Sequence, residues 1–253
     1  MHDPLPNSPD VCTLILAAGV GRRLAAENGR PKCLLEFGGR SLLTRHLDIL
    51  RTSGIRDVFV VAGYEAGRVR EAVGHRAELI VNPDYREGSV VSLWAGRDVL
   101  RSGRPVVLMD ADVIYDARLM MRLLAGLSAG IPANCLLLDR EIEPGDEPVK
   151  LCVSADGRIV DFHKRPQAAH AWHGESVGFF RFAPDAAAEL ARRAIGYARS
   201  RRDMEYEEPI RDMILDSPPG RFGFEDISGL PWTEIDFPED VAKARALLPA
   251  LAA

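Results

Sequence analysis

An α/β fold is expected, built on a mostly parallel sheet flanked by helices with a smaller antiparallel portion. Three observations carry that expectation. Residues 11–112 alternate short apolar runs with helical patterns in units of about 30 residues, the signature of parallel strands joined by right-handed crossovers. After residue 130 strand-like runs follow one another, with a hairpin signal at Asp156-Gly157. The composition, 47% hydrophobic and 27% charged over 253 residues, is that of a folded globular chain of one or two domains.

The elements follow in order. Residues 11–17 (VCTLILA) form a buried strand that opens into a loop rich in Gly and Arg. The run 33–37 is short and apolar, and Gly38-Gly39 marks a turn. Ser41 caps a helix in which Leu42, Leu43, Leu47 and Leu50 recur at helical spacing. A strand at 57–62, a helix at 65–73, a strand at 79–81 and a helix at 89–100 come next, then a strand at 106–109 ending on Asp110-Ala111-Asp112. Beyond residue 130, strands are expected at 134–138, 149–153, 158–163 and 175–182, laid over one end of the sheet. Helices at 184–200 and 207–215, a short strand at 232–236 and a Pro-started helix at 238–247 close the chain. The organisation expected is a flexible tail (1–10) and one domain (11–253) with two halves, 11–130 and 131–253.

Composition narrows the function. With 32 Lys and Arg against 37 Asp and Glu the net charge is −5, which opposes general nucleic-acid binding but not a local basic pocket for one phosphorylated ligand. No apolar run approaches the ~20 residues that span a bilayer, and the Pro-rich start does not resemble a signal peptide. Cys12, Cys33, Cys135 and Cys152 lack metal or redox spacing, and three of them sit in apolar runs as small hydrophobes, which reads as a reduced, cytoplasmic protein. His170 and His173 flank Trp172 at a spacing that fits a metal, but no third ligand is evident.

The chemistry concentrates at strand ends. In Leu16-Ala17-Ala18-Gly19-Val20-Gly21-Arg22-Arg23, a strand runs into small residues and then cations, with Pro31-Lys32 shortly after. Small residues let backbone N–H groups approach an anion, and Arg22, Arg23 and Lys32 add mobile positive charge. The segment is neither a P-loop nor a full dinucleotide fingerprint. Asp110 and Asp112 follow another strand at the same sheet edge, where Mg²⁺ beside bound phosphates would find a carboxylate. Either Asp also reads as a turn or cap residue. Asp236, before the last helix, could cap that helix or offer the metal a second carboxylate.

LILAAGVGRRL followed by PK, the Asp-ended strand and EIDFPEDV resemble the nucleoside-triphosphate transferases, and most the bacterial CTP:phosphocholine cytidylyltransferase group. DAD, NPDYREGSVVSLWAG and WTEIDFPED carry the narrower likeness, and the resemblance covers roughly residues 11–248. It implies a Rossmann-like, GT-A-like nucleotidyltransferase fold. Leu16, Ala17, Ala18 and Gly19 would then line base and ribose, and Gly21 with Arg22 or Arg23 the triphosphate, the choice between the two arginines staying open. Lys32 matches the signature lysine at the α-phosphate, and Asp112 and Asp236 match the metal-binding pair, with Asp110 beside them. Asn82, Ser89 and Ser92 fall in the base-reading segment.

The implied activity is Mg²⁺-dependent transfer of CMP from CTP to a small phosphorylated or phosphonylated alcohol, releasing pyrophosphate. The nucleophile is already an anion, so no His-centred general base is needed; charge neutralisation and alignment make up most of the barrier. For the acceptor, Lys150 and Lys164 could bind its phosphate, while Glu175, Glu205, Tyr206, Glu207 and Trp232 could hold an ammonium head by charge and cation–π attraction. Solvated surface positions are the alternative for these residues. The rival readings are a UTP- or GTP-using transferase with a sugar-1-phosphate or molybdopterin-type acceptor, and a non-catalytic nucleotide sensor. A homodimer stays open.

Overall fold

The structure, a computed structural model, describes residues 10–24, 29–125, 133–142 and 147–251. Most of the expected tail therefore lies outside the described residues. The first half runs β1 (Cys12–Ala17), β2 (Glu36–Phe37), β3 (Arg40–Ser41), α1 (Leu42–Thr52), β4 (Asp57–Ala62), α2 (Ala66–Val73), β5 (Glu78–Val81), α3 (Val90–Ala95), α4 (Arg97–Leu100), β6 (Val106–Asp110), β7 (Val113–Tyr115) and α5 (Ala117–Ala125). The second half runs β8 (Asn134–Asp139), β9 (Lys150–Val153), β10 (Ile159–His163), β11 (Trp172–Phe182), α6 (Pro184–Ser200), α7 (Glu207–Leu215), β12 (Phe222–Asp226), β13 (Trp232–Glu234) and α8 (Pro238–Leu247).

β1 pairs in parallel with β4 and β6, and β4 with β5, so their carboxyl ends share one edge. Leu16 stands opposite Asp110, and the Ala111 N–H donates to the Leu16 carbonyl at 3.2 Å. This register sets the Gly/Arg loop beside the Asp110-Ala111-Asp112 turn, as the strand-end argument requires. The later strands do not lie over the sheet. They extend it sideways, because β11 hydrogen-bonds antiparallel to β6 and then to β8 and β9. Among the described residues one nine-stranded sheet results, in which β12 pairs parallel to β8.

Apolar faces account for the packing. α1 buries Leu42, Leu43, His46, Leu47 and Leu50 on one side, and Ser41 caps it by accepting from the Thr44 N–H. α6 buries Ala186, Leu190 and Ala194 against the other face of the sheet, while Tyr197 packs with Val90 and Val91 of α3. The helix expected at 89–100 is broken at Gly96, where a β-carbon would stand 2.5 Å from a Leu14 methyl; close approach to β1 requires the glycine. The run 33–37 divides into a short turn of 3₁₀ helix (Lys32–Leu34) and β2, which turns through Gly38-Gly39, both at positive φ, into β3. β7, α5 and β12 are additional to the elements read from sequence. All four cysteines are free and buried, and His170 Nε2 meets His173 Nδ1 at 3.0 Å. No helix among the described residues is long and apolar enough to cross a membrane.

Candidate active site

The site assembles at the carboxyl edge of β1 and β6. Gly21 adopts φ +64°, and a β-carbon there would lie 2.8 Å from Lys32 Cγ; the glycine lets the lysine stem cross under the loop. Lys32 Nζ donates to Asp112 Oδ2 at 3.1 Å and makes a short contact with Asp236 Oδ1. Burial would lower the ammonium's pKa, but the charges of Asp112 and Asp236 overcome that and hold it above its ordinary value. Three segments distant in sequence thus meet at one cation.

Asp112 follows β6, and the Ile235 N–H donates to its carbonyl at 3.0 Å while Glu234 stands opposite Val113 across the β7–β13 pair. The stitching brings Asp112, Glu234 and Asp236 together, with one ligand oxygen from each lying within 4.8 Å of the others. Asp236 does not cap α8. Asp240 does so, its Oδ2 accepting from the N–H groups of Asp236 (2.9 Å) and Phe237 (2.8 Å), which leaves the Asp236 carboxylate to the cleft. Desolvation of its carboxyl and the like charges of Asp112 and Asp236 raise Glu234 well above an ordinary glutamate, although the residue's surface remains exposed. An all-carboxylate oxygen set of this spacing suits a hard divalent cation such as Mg²⁺. Sequence reasoning missed Glu234; its signal was the two-residue spacing to Asp236 across a strand end.

Arg23 is exposed and joins the cleft's two walls. Its guanidinium reaches Asp236 at 3.5 Å and Glu147 at 3.2 Å and lies 4.9 Å from the Phe237 ring centroid. Glu147, a second residue missed in the sequence, also lies 3.8 Å from Lys164 Nζ. The Arg22 side chain lies outside the described residues. Leu16, Ala17, Ala18 and Gly19 form the loop floor, where the Ala18 carbonyl accepts from the Tyr64 N–H at 3.2 Å.

The base-segment residues have protein partners. Buried Asn82 donates to Ser92 Oγ at 3.0 Å and accepts from the Asp84 N–H. Ser89 Oγ accepts from the Tyr206 N–H at 2.8 Å, and Asp110 accepts from the Tyr206 hydroxyl. On the acceptor side Lys164 bridges to Glu205 at 3.1 Å, and Lys150 Nζ donates to the Lys164 carbonyl at 3.0 Å. A cleft of about 580 Å³ borders Glu234 and Asp236 and is lined also by Asp139, Glu147, Glu175 and Trp232. Trp232 Nε1 donates to Asp139 Oδ2 at 2.7 Å.

Glu175 stands between Asp139 on β8 and Lys150 on β9. Burial and the Asp139 charge push it up to about 7 against the pull of Lys150. Glu207, whose Oε2 is buried without a hydrogen-bond partner, is pushed up to about 8 by burial and by Glu205. Both carboxyls favour the protonated form in the fold. Their contribution to stability is complete below about pH 4.5 and is lost as pH rises through about 7 and 8. Calorimetry from pH 5 to 8.5 should show a falling melting temperature, with a shallower fall in Glu175→Gln and Glu207→Gln. Parallel curves for all three proteins would refute this.

Residues 13–173, well over half of the chain, match the MobA-like NTP transferase domain. A bifunctional IPC transferase and DIPP synthase of Rubrobacter xylanophilus is 28% identical over 245 residues, covering 94% of this chain and 52% of the relative. The CMP-5'-(3-aminopropyl)phosphonate synthase of Streptomyces rubellomurinus is 29% identical over 259 residues, covering 94% and 39%. The chain thus spans about half or less of these relatives' lengths. Among solved structures, the CTP:phosphocholine cytidylyltransferase from Streptococcus pneumoniae superposes with a TM-score of 0.74 at 19% identity, covering 95% of this chain and all of that one, a likeness of fold.

Proposed function

Because this chain belongs to the MobA-like NTP transferase family and is a nucleotidyltransferase, we propose that it transfers CMP from CTP to a small phosphorylated or phosphonylated alcohol. The observation that carries the reading is the meeting of Lys32 with Asp112 and Asp236 beside the loop after β1. CTP as donor is supported by relatives whose names specify CMP or CTP chemistry.

Asp112, Glu234 and Asp236 would hold Mg²⁺, which when bound would neutralise phosphate charge and orient the phosphates. An acceptor phosphate or phosphonate oxygen attacks the α-phosphorus of CTP; the new P–O bond forms as the bond to pyrophosphate breaks, and pyrophosphate leaves. Lys32 supplies fixed positive charge where negative charge would develop on the α-phosphate, and Arg23, exposed beside Asp236, would offer a second cation to the leaving pyrophosphate. The glycines after β1 let backbone N–H groups approach the triphosphate. Lys150 and Lys164 take the acceptor's anionic end. The acidic cleft wall with Trp232 favours an acceptor whose far end is cationic.

The test is pyrophosphate release with each of the four common NTPs, Mg²⁺ and a panel of phosphocholine, phosphoethanolamine, aminoalkylphosphonates, inositol phosphate and sugar 1-phosphates. Turnover with CTP and a phosphoalcohol or phosphonate is expected. Turnover with UTP or GTP but not CTP would overturn the donor assignment in favour of a sugar-1-phosphate or molybdopterin-type reaction. Nucleotide binding without turnover on any acceptor would point to a sensor.

A further inference from the structure

We propose that Tyr206 is a positioning residue that fastens the acceptor-facing segment 205–207 to the strand carrying the metal turn. It is 5% exposed, so its ring presents almost no face to the cleft. Its hydroxyl donates to Asp110 Oδ2, on the last residue of β6 and two residues before Asp112. Its backbone N–H donates to Ser89 Oγ, and its ring meets the edge of Phe180 at 6.2 Å between centroids.

The surroundings are shaped for this bond. Gly178, at φ +74° within β11, leaves space for the Asp110 carboxylate, since a β-carbon there would lie 2.1 Å from Asp110 Oδ2. The preceding segment is zipped to the start of α3: the Gly88 N–H donates to the Arg202 carbonyl at 2.8 Å and the Val90 N–H to that of Met204 at 3.2 Å. Gly88 has no room for a side chain, because a β-carbon would stand 2.1 Å from the Met204 oxygen. Tyr206 therefore ties three parts of the chain at one point: the 88–90 segment, the end of β6 and the start of α7. Glu205 and Glu207 flank it and inherit their placement relative to Asp112 from this anchor.

Hydrogen exchange and kinetics test this together; the kinetic half rests on the transfer reaction proposed above. In Tyr206→Phe, amides of 203–208 should exchange about tenfold faster, as losing a buried hydrogen bond would allow, while β1 is unchanged. Acceptor KM should rise about tenfold while the KM for CTP stays within about twofold. Gly178→Ala, which drives the Asp110 carboxylate away, should show the same local exchange. Unchanged exchange at 203–208 in Tyr206→Phe, acceleration spread evenly over the protein, or equal rises in both KM values would overturn the proposal. A wild-type protein with no pyrophosphate release on any acceptor would defeat the transfer reading alone, and the exchange comparison would still decide the role of Tyr206.

Discussion

Lys32→Ala is expected to lower single-turnover pyrophosphate release by a factor of ~10² to 10⁴, equivalent to about 3–5 kcal/mol of transition-state stabilisation. The ammonium contacts both Asp112 and Asp236, so it stands where metal-bound phosphates would lie and where charge develops as the α-phosphorus is attacked. The loss should appear mainly in the chemical step. Lys32→Arg should recover little, because Gly21 packs directly on the lysine stem and the broad guanidinium replaces a compact point charge. The same alanine variant removes the counter-charge of two carboxylates, so its melting temperature without metal should fall, with partial recovery in excess Mg²⁺. Retention of turnover within tenfold of wild type would remove Lys32 from the reaction.

How much of this was legible beforehand depended on range. The strand and loop at 11–24, Lys32, Asp112 and Asp236 were readable because apolar runs ending in charged or small residues are local patterns, and the parallel order of β1, β4 and β6 follows from crossover length. β7 and β12 escaped because each is short and depends on a partner far away, β13 for one and β8 for the other. Glu234 was hidden for a similar reason. It stands among several acidic residues, and only the β7–β13 pairing selects it along with Asp236. The capping alternative for Asp236 fell to Asp240, a choice between two nearby carboxylates that spacing could not make. Gly21 reads as a phosphate-loop glycine, but its close fit to the Lys32 stem depends on how two loops cross. Ser89 and Tyr206 were both singled out, yet their contact with each other joins positions 117 residues apart.

Asp112→Asn should abolish most turnover, by ~10² to 10⁴, and raise the Mg²⁺ concentration for half-maximal activity at least tenfold. Asparagine keeps an oxygen near the site but removes the charge that a hard cation recruits and half of Lys32's ionic support. A contrast with Glu234→Gln separates metal binding from simple damage. Glu234 has no ion pair among the described residues, and its carboxyl is held close to Asp112 and Asp236 by the β7–β13 ladder. With no divalent cation present, burial and the charges of Asp112 and Asp236 disfavour an ionised Glu234 carboxylate, which costs the fold stability at neutral pH. Replacing it with glutamine should therefore stabilise the metal-free protein slightly, by on the order of 0.5 kcal/mol after solvent screening, read as a higher melting temperature. The same change should weaken Mn²⁺ affinity measured by calorimetry about tenfold or more. Opposite signs for stability and metal affinity are what a site organised around a cation demands. If Glu234→Gln bound Mn²⁺ as tightly as wild type, the third ligand would be lost from the set; if Asp112→Asn did so as well, the carboxylate trio would not be the metal site.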